Sequence, residues 1–102
     1  MHTIVNHLPI RADADWIALA GKMQAFLTAT RKTVPKLRGG LVVKVSDGEA
    51  ILIVFYEDEA TMNEVSSKIA APWFAENIRP YLAGPVSRSV GAVVAGEWES
   101  SG

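Results

Sequence analysis

The dipeptide Asp47-Gly48, set between the apolar runs Leu41–Val45 and Ala50–Tyr56, constrains this chain more than any other feature. Two β-rich runs joined by Asp-Gly are the strongest short-range signal for a tight hairpin. A two-residue loop there pairs Val45 with Ala50, Val43 with Leu52 and Leu41 with Val54. Because side chains alternate along a strand, one face then carries Leu41, Val43, Val45, Ala50, Leu52 and Val54. The other carries Val42, Lys44, Ile51, Ile53 and Phe55. Neither face suits water, since a hairpin with one solvated side alternates apolar with polar residues. Whatever this chain folds into has to cover both sides of its central hairpin.

The flanking segments supply one cover. His2 to Leu8 reads as a first strand, stopped by Pro9. Asp13 or Asp15 can cap a helix running to about Thr30, with Trp16, Leu19, Ala20, Met23, Phe26, Leu27 and Thr30 on one stripe. Val34-Pro35 and Gly39-Gly40 mark the loop into the hairpin. Asp58 caps a second helix that turns Met62, Val65 and Ile69 inward. Ala71-Pro72 either ends it or opens a further short helix carrying Trp73 and Phe74, because Pro is favoured in a first helical turn. Val86 to Val94 is a last strand, in which Gly91 suggests a bulge or a close backbone approach. The order β-α-β-β-α-β is the split βαβ arrangement. We therefore expect an α+β fold of ferredoxin-like βαββαβ topology with an antiparallel sheet: residues 1–95 as one domain, 96–102 as a polar tail.

Helices on one face of such a sheet leave the other bare. Val42, Ile51, Ile53 and Phe55 would then form a contiguous exposed apolar patch, which normally marks an interface. A second copy of the same surface is the simplest cover, so the pattern predicts a homodimer through its sheet faces.

Composition narrows the function. With 102 residues and 49% apolar content this is one globular domain with a modest core. The absence of cysteine rules out disulfides, thiolate zinc sites and cysteine nucleophiles, and it fits a reducing compartment. The longest apolar run, Ala50 to Tyr56, is too short to span a bilayer, and the N-terminus lacks the pattern of a secretory leader. The expectation is a cytoplasmic protein with no membrane partner. A formal charge of −1 gives no global attraction to nucleic acid. The basic group Arg31, Lys32, Lys36 and Arg38 reads as a solvated helix end complementing the helix dipole.

No phosphate-binding glycine loop, nucleophile elbow or metalloprotease helix is present. The candidates are individual side chains. Asn6, near the end of the first strand, can hold a ligand oxygen or stabilise an oxyanion, or it can satisfy strand-edge backbone. His7 can serve as a general acid or base near neutrality, or as a hydrogen-bonded structural residue. His2 and His7 fall on opposite strand faces, so a shared metal site from one chain is not expected. Tyr56, Trp73, Arg79 and Tyr81 converge on one end of the sheet as core or as walls of an apolar pocket. Arg88 could bind an anion, but by default it reads as a surface arginine.

Beyond these physical readings, the chain resembles the antibiotic biosynthesis monooxygenase-like group of the dimeric α/β-barrel superfamily. Strand-borne Asn6, the run Asp58-Glu59-Ala60, and Ala71-Pro72-Trp73-Phe74 followed by Tyr81 carry that resemblance across nearly the whole length. It implies a dimeric barrel with a ligand cavity between sheet and helices. It also implies a cofactor-independent monooxygenase acting on an anthrone- or quinol-like aromatic, whose carbanion reduces dioxygen directly. On that frame Asn6 holds the substrate oxygen, His7 accepts the proton, and Tyr56 and Trp73 form walls. Ile69 and Trp73 stand where relatives commonly carry histidines, which disfavours haem as a ligand and leaves no cofactor expected. A non-catalytic small-ligand-binding barrel and a polyketide cyclase-like enzyme are the alternatives.

Overall fold

A computed structural model describes residues 1–97 and runs β1 (His2–Pro9), α1 (Trp16–Thr33), β2 (Leu37–Ser46), β3 (Glu49–Tyr56), α2 (Glu59–Val65), α3 (Ala71–Asn77) and β4 (Ser87–Ala92). The strands form one antiparallel sheet in the order β2-β3-β1-β4, the ferredoxin-like α+β arrangement that the element order predicts. Of the expected polar tail, residues 98–102 lie outside the described residues. Among the described residues, no helix is long and apolar enough to cross a membrane.

Local chemistry fixes the helix ends. The Asp15 carboxylate accepts from the Ala18 amide at 3.1 Å, so the second of the two candidate caps starts α1. The helix continues to Thr33, with Leu19, Met23 and Thr30 buried. Asp58 caps α2, accepting from the Thr61 amide at 2.8 Å, while Lys36 Nζ lies 3.1 Å from its other oxygen. Pro72 then opens α3, and the helical path does not break before it. A five-residue π turn, Ser66–Ala70, carries the chain across, with the Ala71 amide donating to the Ser66 carbonyl five residues back. Proline lacks an amide hydrogen and its ring crowds the carbonyl four residues earlier, and the wider turn relieves that clash.

The Asp58 cap has a pH signature. Hydrogen bonds from Thr61, side chain and amide, and then from Lys36 hold its carboxyl at about 2, below the ordinary 3.8. A lowered native pKa stabilises the fold above the ordinary value and is lost as pH falls through the native one. In thermal melts from pH 5 to 2, wild type is expected to exceed Asp58→Asn at pH 5. The gap should close as pH approaches 2. Asparagine caps a helix about as well as aspartate, so a pH-independent gap would reject the charge as the cause.

The hairpin departs from the simple pairing. Ser46 opposes Glu49 as expected, but the register then shifts at Val45, so Lys44 opposes Ala50, Val43 opposes Ile51, and Leu41 opposes Ile53. A type I′ Asp-Gly turn needs positive φ at both central residues, and no described residue has positive φ. The turn is instead held from outside. Ile10 donates to the Gly48 carbonyl at 2.9 Å, the Trp16 indole to the Asp47 carbonyl at 3.0 Å, and Lys44 Nζ lies 3.0 Å from the Asp47 carboxylate. A bulge at Val45 reconciles that turn with the twist of the strands. It exchanges the two faces of β2. Val42 joins the core beside Leu52, while Leu41 and Val43 join Ile51, Ile53 and Phe55 on the side away from the helices. The exposed patch therefore contains Leu41 and Val43, at 56% and 43% exposure, in place of Val42.

Under the helices lie two apolar clusters. Ile4, Leu37, Val54, Tyr56, Met62 and Val65 form one; Leu8, Ile10, Leu19, Met23, Ala50 and Ile78 form the other. Leu8, Leu19, Leu37 and Ile78 are fully buried, and removing a side chain of that size costs about 2–5 kcal/mol.

Candidate functional site

Between the sheet and the helices is a cavity of about 700 Å³, within the range of small-molecule sites. Ile4 and Asn6 of β1 with Leu52, Val54 and Tyr56 of β3 make its floor. Trp73 of α3 stacks on Phe26 of α1, centroids 4.4 Å apart and planes inclined by 25°, and the pair forms a flat aromatic wall. The π turn brings Ser66 and Ala70 to the lining, and the 82–86 segment with Arg88 closes one side.

Strand alternation decides which polar groups enter. Asn6 lies on the helix-facing side of β1 with Ile4 and Leu8, and its Cα partners are Leu52 and Arg88. Cβ atoms of such cross-strand partners sit about 5 Å apart, so Asn6 and Arg88 are neighbours on one wall. Tyr56, 2% exposed, ends the same face of β3. Burial pushes its phenol pKa up and the nearby Arg88 charge partly opposes that, so the hydroxyl stays a neutral donor at physiological pH. Among the described residues, the side chains of Asn6, Tyr56, Arg79 and Arg88 have no hydrogen-bond or ion-pair partner. Their unused capacity lines an otherwise apolar space.

Of the sequence candidates, Asn6, Tyr56, Trp73 and Arg79 meet at this cavity; His7 and Tyr81 do not. One residue beyond Asn6, His7 is on the opposite sheet face, exposed, with Nδ1 3.6 Å from the Glu49 carboxylate. Tyr81 packs into the second core cluster, with Lys22 Nζ 5.3 Å from its ring centre. Sequence reasoning undervalued Arg88 and missed Phe26 as a wall. Pairing β4 antiparallel to β1 in the expected topology would have set Arg88 beside Asn6. The cavity lining contains no histidine, aspartate or glutamate. Histidine ligation of a haem iron is therefore not offered by the residues that line this cavity. Among the described residues, no cluster of three or more histidine or carboxylate side chains could hold a metal ion.

No family model matches the chain, and no curated protein does. Solved structures do. SnoaB, a cofactor-independent oxygenase from Streptomyces nogalater, superposes with a TM-score of 0.73 over 96% of this chain and 97% of its own, at 11% identity. An antibiotic biosynthesis monooxygenase matches with a TM-score of 0.73 over 93% of this chain and 100% of its own, at 14% identity. This chain shares the fold of these structures. Rv0793 from Mycobacterium tuberculosis shares that fold at 24% identity, with a TM-score of 0.72 over 93% of this chain and 96% of its own. The likeness covers at least 93% of this chain in each case.

Proposed function

We propose that this chain is a cofactor-independent oxygenase acting on a flat, electron-rich aromatic of anthrone or quinol type, and that it works as a homodimer through its open sheet faces. The observation that carries the reading is an apolar slot, walled by stacked Trp73 and Phe26, into which unpartnered donors of Asn6, Tyr56 and Arg88 project. Similarity in fold to an oxygenase that needs no cofactor supports it.

The chemistry suits those groups. An anthrone loses a benzylic proton, and the electron pair left behind delocalises onto its ring oxygen. Donors from Asn6 and Tyr56 and the Arg88 charge stabilise that oxyanion more than the neutral ketone, which lowers the barrier to ionisation. The carbanion gives one electron to O2, the radical pair joins in a C–O bond, and the proton returns to form a hydroperoxide. Loss of water then leaves a second carbonyl. Anthrone and O2 become anthraquinone and water, with every electron drawn from the substrate. The walls hold the ring in place and exclude solvent.

No base lines the cavity, so the proton passes to water and His7 takes no part. With anthrone as substrate, an oxygen electrode is expected to register enzyme-dependent uptake that yields anthraquinone. The rate should rise with pH along the ionisation of the substrate, without a histidine inflection. In the dimeric form, checked by sedimentation because His7 lies on the open sheet face, His7→Gln should stay within about twofold of wild type, since the residue lies outside the cavity. Tight aromatic binding with no oxygen uptake would assign the cavity to a carrier instead. A large loss in His7→Gln would reinstate the histidine as base.

A further inference from the structure

The cavity has cations and no anions. Arg79 and Arg88 are the charged members of its lining. Some cations elsewhere meet carboxylates: Arg11 lies 3.0 Å from Asp13, Lys36 3.1 Å from Asp58, and Lys44 3.0 Å from Asp47. Among the described residues neither Arg79 nor Arg88 has such a partner. The chain as a whole carries a formal charge of −1, so this positive site is local and does not reflect an overall excess of base.

Arg88 is the better placed of the two. It is the cross-strand partner of Asn6, and its charge acts on the Tyr56 hydroxyl, so guanidinium, amide and phenol share one end of the slot. A guanidinium offers two parallel N–H donors that match the two oxygens of a carboxylate. The oxygenation chemistry above needs one stabilised oxyanion, which the donors of Asn6 and Tyr56 serve with one positive charge beside them. The two arginines leave charge capacity beyond that need.

We propose that the ligand of this cavity is a flat aromatic bearing a carboxylate, seated with the carboxylate on Arg88 and its ring against Trp73 and Phe26. Arg79 adds a second positive charge to the same cavity. The inference rests on the reading of this cavity as a ligand site, and it is independent of whether oxygen is consumed there.

Anthracene-2-carboxylate and anthracene-2-carboxamide share ring and shape and differ in charge. Titrated by fluorescence into the purified full chain at low salt, the carboxylate is expected to bind about tenfold tighter or more, the scale of a charged hydrogen-bonded contact. Arg88→Gln should bring the ratio close to unity while carboxamide affinity changes by less than about threefold. Arg88→Lys, which keeps the charge without the fork, should restore part of the preference, and that gradation separates anion recognition from a loss of fold. Equal affinity for both probes in wild type overturns the proposal, and with oxygen uptake on anthrone intact it leaves the oxygenase reading standing. A preference that survives in the Arg79→Gln/Arg88→Gln double variant overturns it as well. Binding of neither probe removes the ligand site and this inference together.

Discussion

Replacing Asn6 by leucine should lower kcat for anthrone oxidation by about 10²–10³, the loss seen when one oxyanion donor is removed from a site. Leucine keeps the volume and the strand but offers no donor. The Asn6 amide has no partner among the described residues, so the substitution breaks no hydrogen bond of the fold. Thermal stability is therefore expected to hold. Affinity for an inert flat aromatic should change by less than about threefold, since uniform binding rests on Trp73, Phe26 and the floor. A fall in kcat with KM nearly unchanged is the signature of a group that acts on the transition state. Should Asn6→Leu retain full turnover, the oxyanion would have to be held by Tyr56 and Arg88 alone, and Asn6 would lose its assigned role.

How far the sequence leads depends on which signals are local. The caps at Asp15 and Asp58 are readable because an aspartate before an amphipathic run offers its oxygen to an amide three residues on. The strand order follows from the alternation of elements, and from it the helix-facing side of β1 with Ile4, Asn6 and Leu8. The bulge at Val45 is not readable. It arises because Ile10 and Trp16, distant in sequence, hold the Asp47-Gly48 turn by hydrogen bonds. A one-residue shift there exchanges the side chains of β2 from Leu41 to Lys44 between core and open face, so a local rule applied correctly still assigned Val42 to the wrong side. His7 illustrates the opposite case. Its position opposite Asn6 follows from strand period alone, yet the family resemblance drew it toward the site. Arg88 needed two steps, topology and then register, before an apparent surface residue became a wall of the cavity. Tyr81 needed the path of the 3₁₀ turn Arg79–Tyr81, which no periodicity encodes.

Ile53→Asp should convert a dimer into a monomer with the largest equilibrium shift of any single change considered. Ile53 sits at the middle of the open face, between Val5 on β1 and Leu41 on β2. Leu41 and Val43 are 56% and 43% exposed in the isolated chain, and the patch continues through Ile51 and Phe55. Such a surface, with strands β1 and β3 presenting no charge across its centre, is costly in water and complementary to itself. In a two-fold interface each substitution counts twice. Losing an isoleucine contact costs about 1.5–3 kcal/mol per copy, and each new carboxylate must either lose hydration or approach its own symmetry mate. Together these give about 4–8 kcal/mol, or a dissociation constant raised about 10³–10⁶-fold. Sedimentation at micromolar concentration is the direct measurement. The control is Ile17→Asp, the same exchange at an isoleucine that is 88% exposed on α1, on the helical side of the sheet. That variant should sediment as wild type. If both variants dissociate, a general destabilisation is responsible; if neither does, or if the wild type is already monomeric, the open face is not a dimer interface. A dimer that falls apart only with Ile53→Asp would also explain why evolution tolerates so apolar a face on both sides of the hairpin: one side closes the cavity, and the other closes the pair.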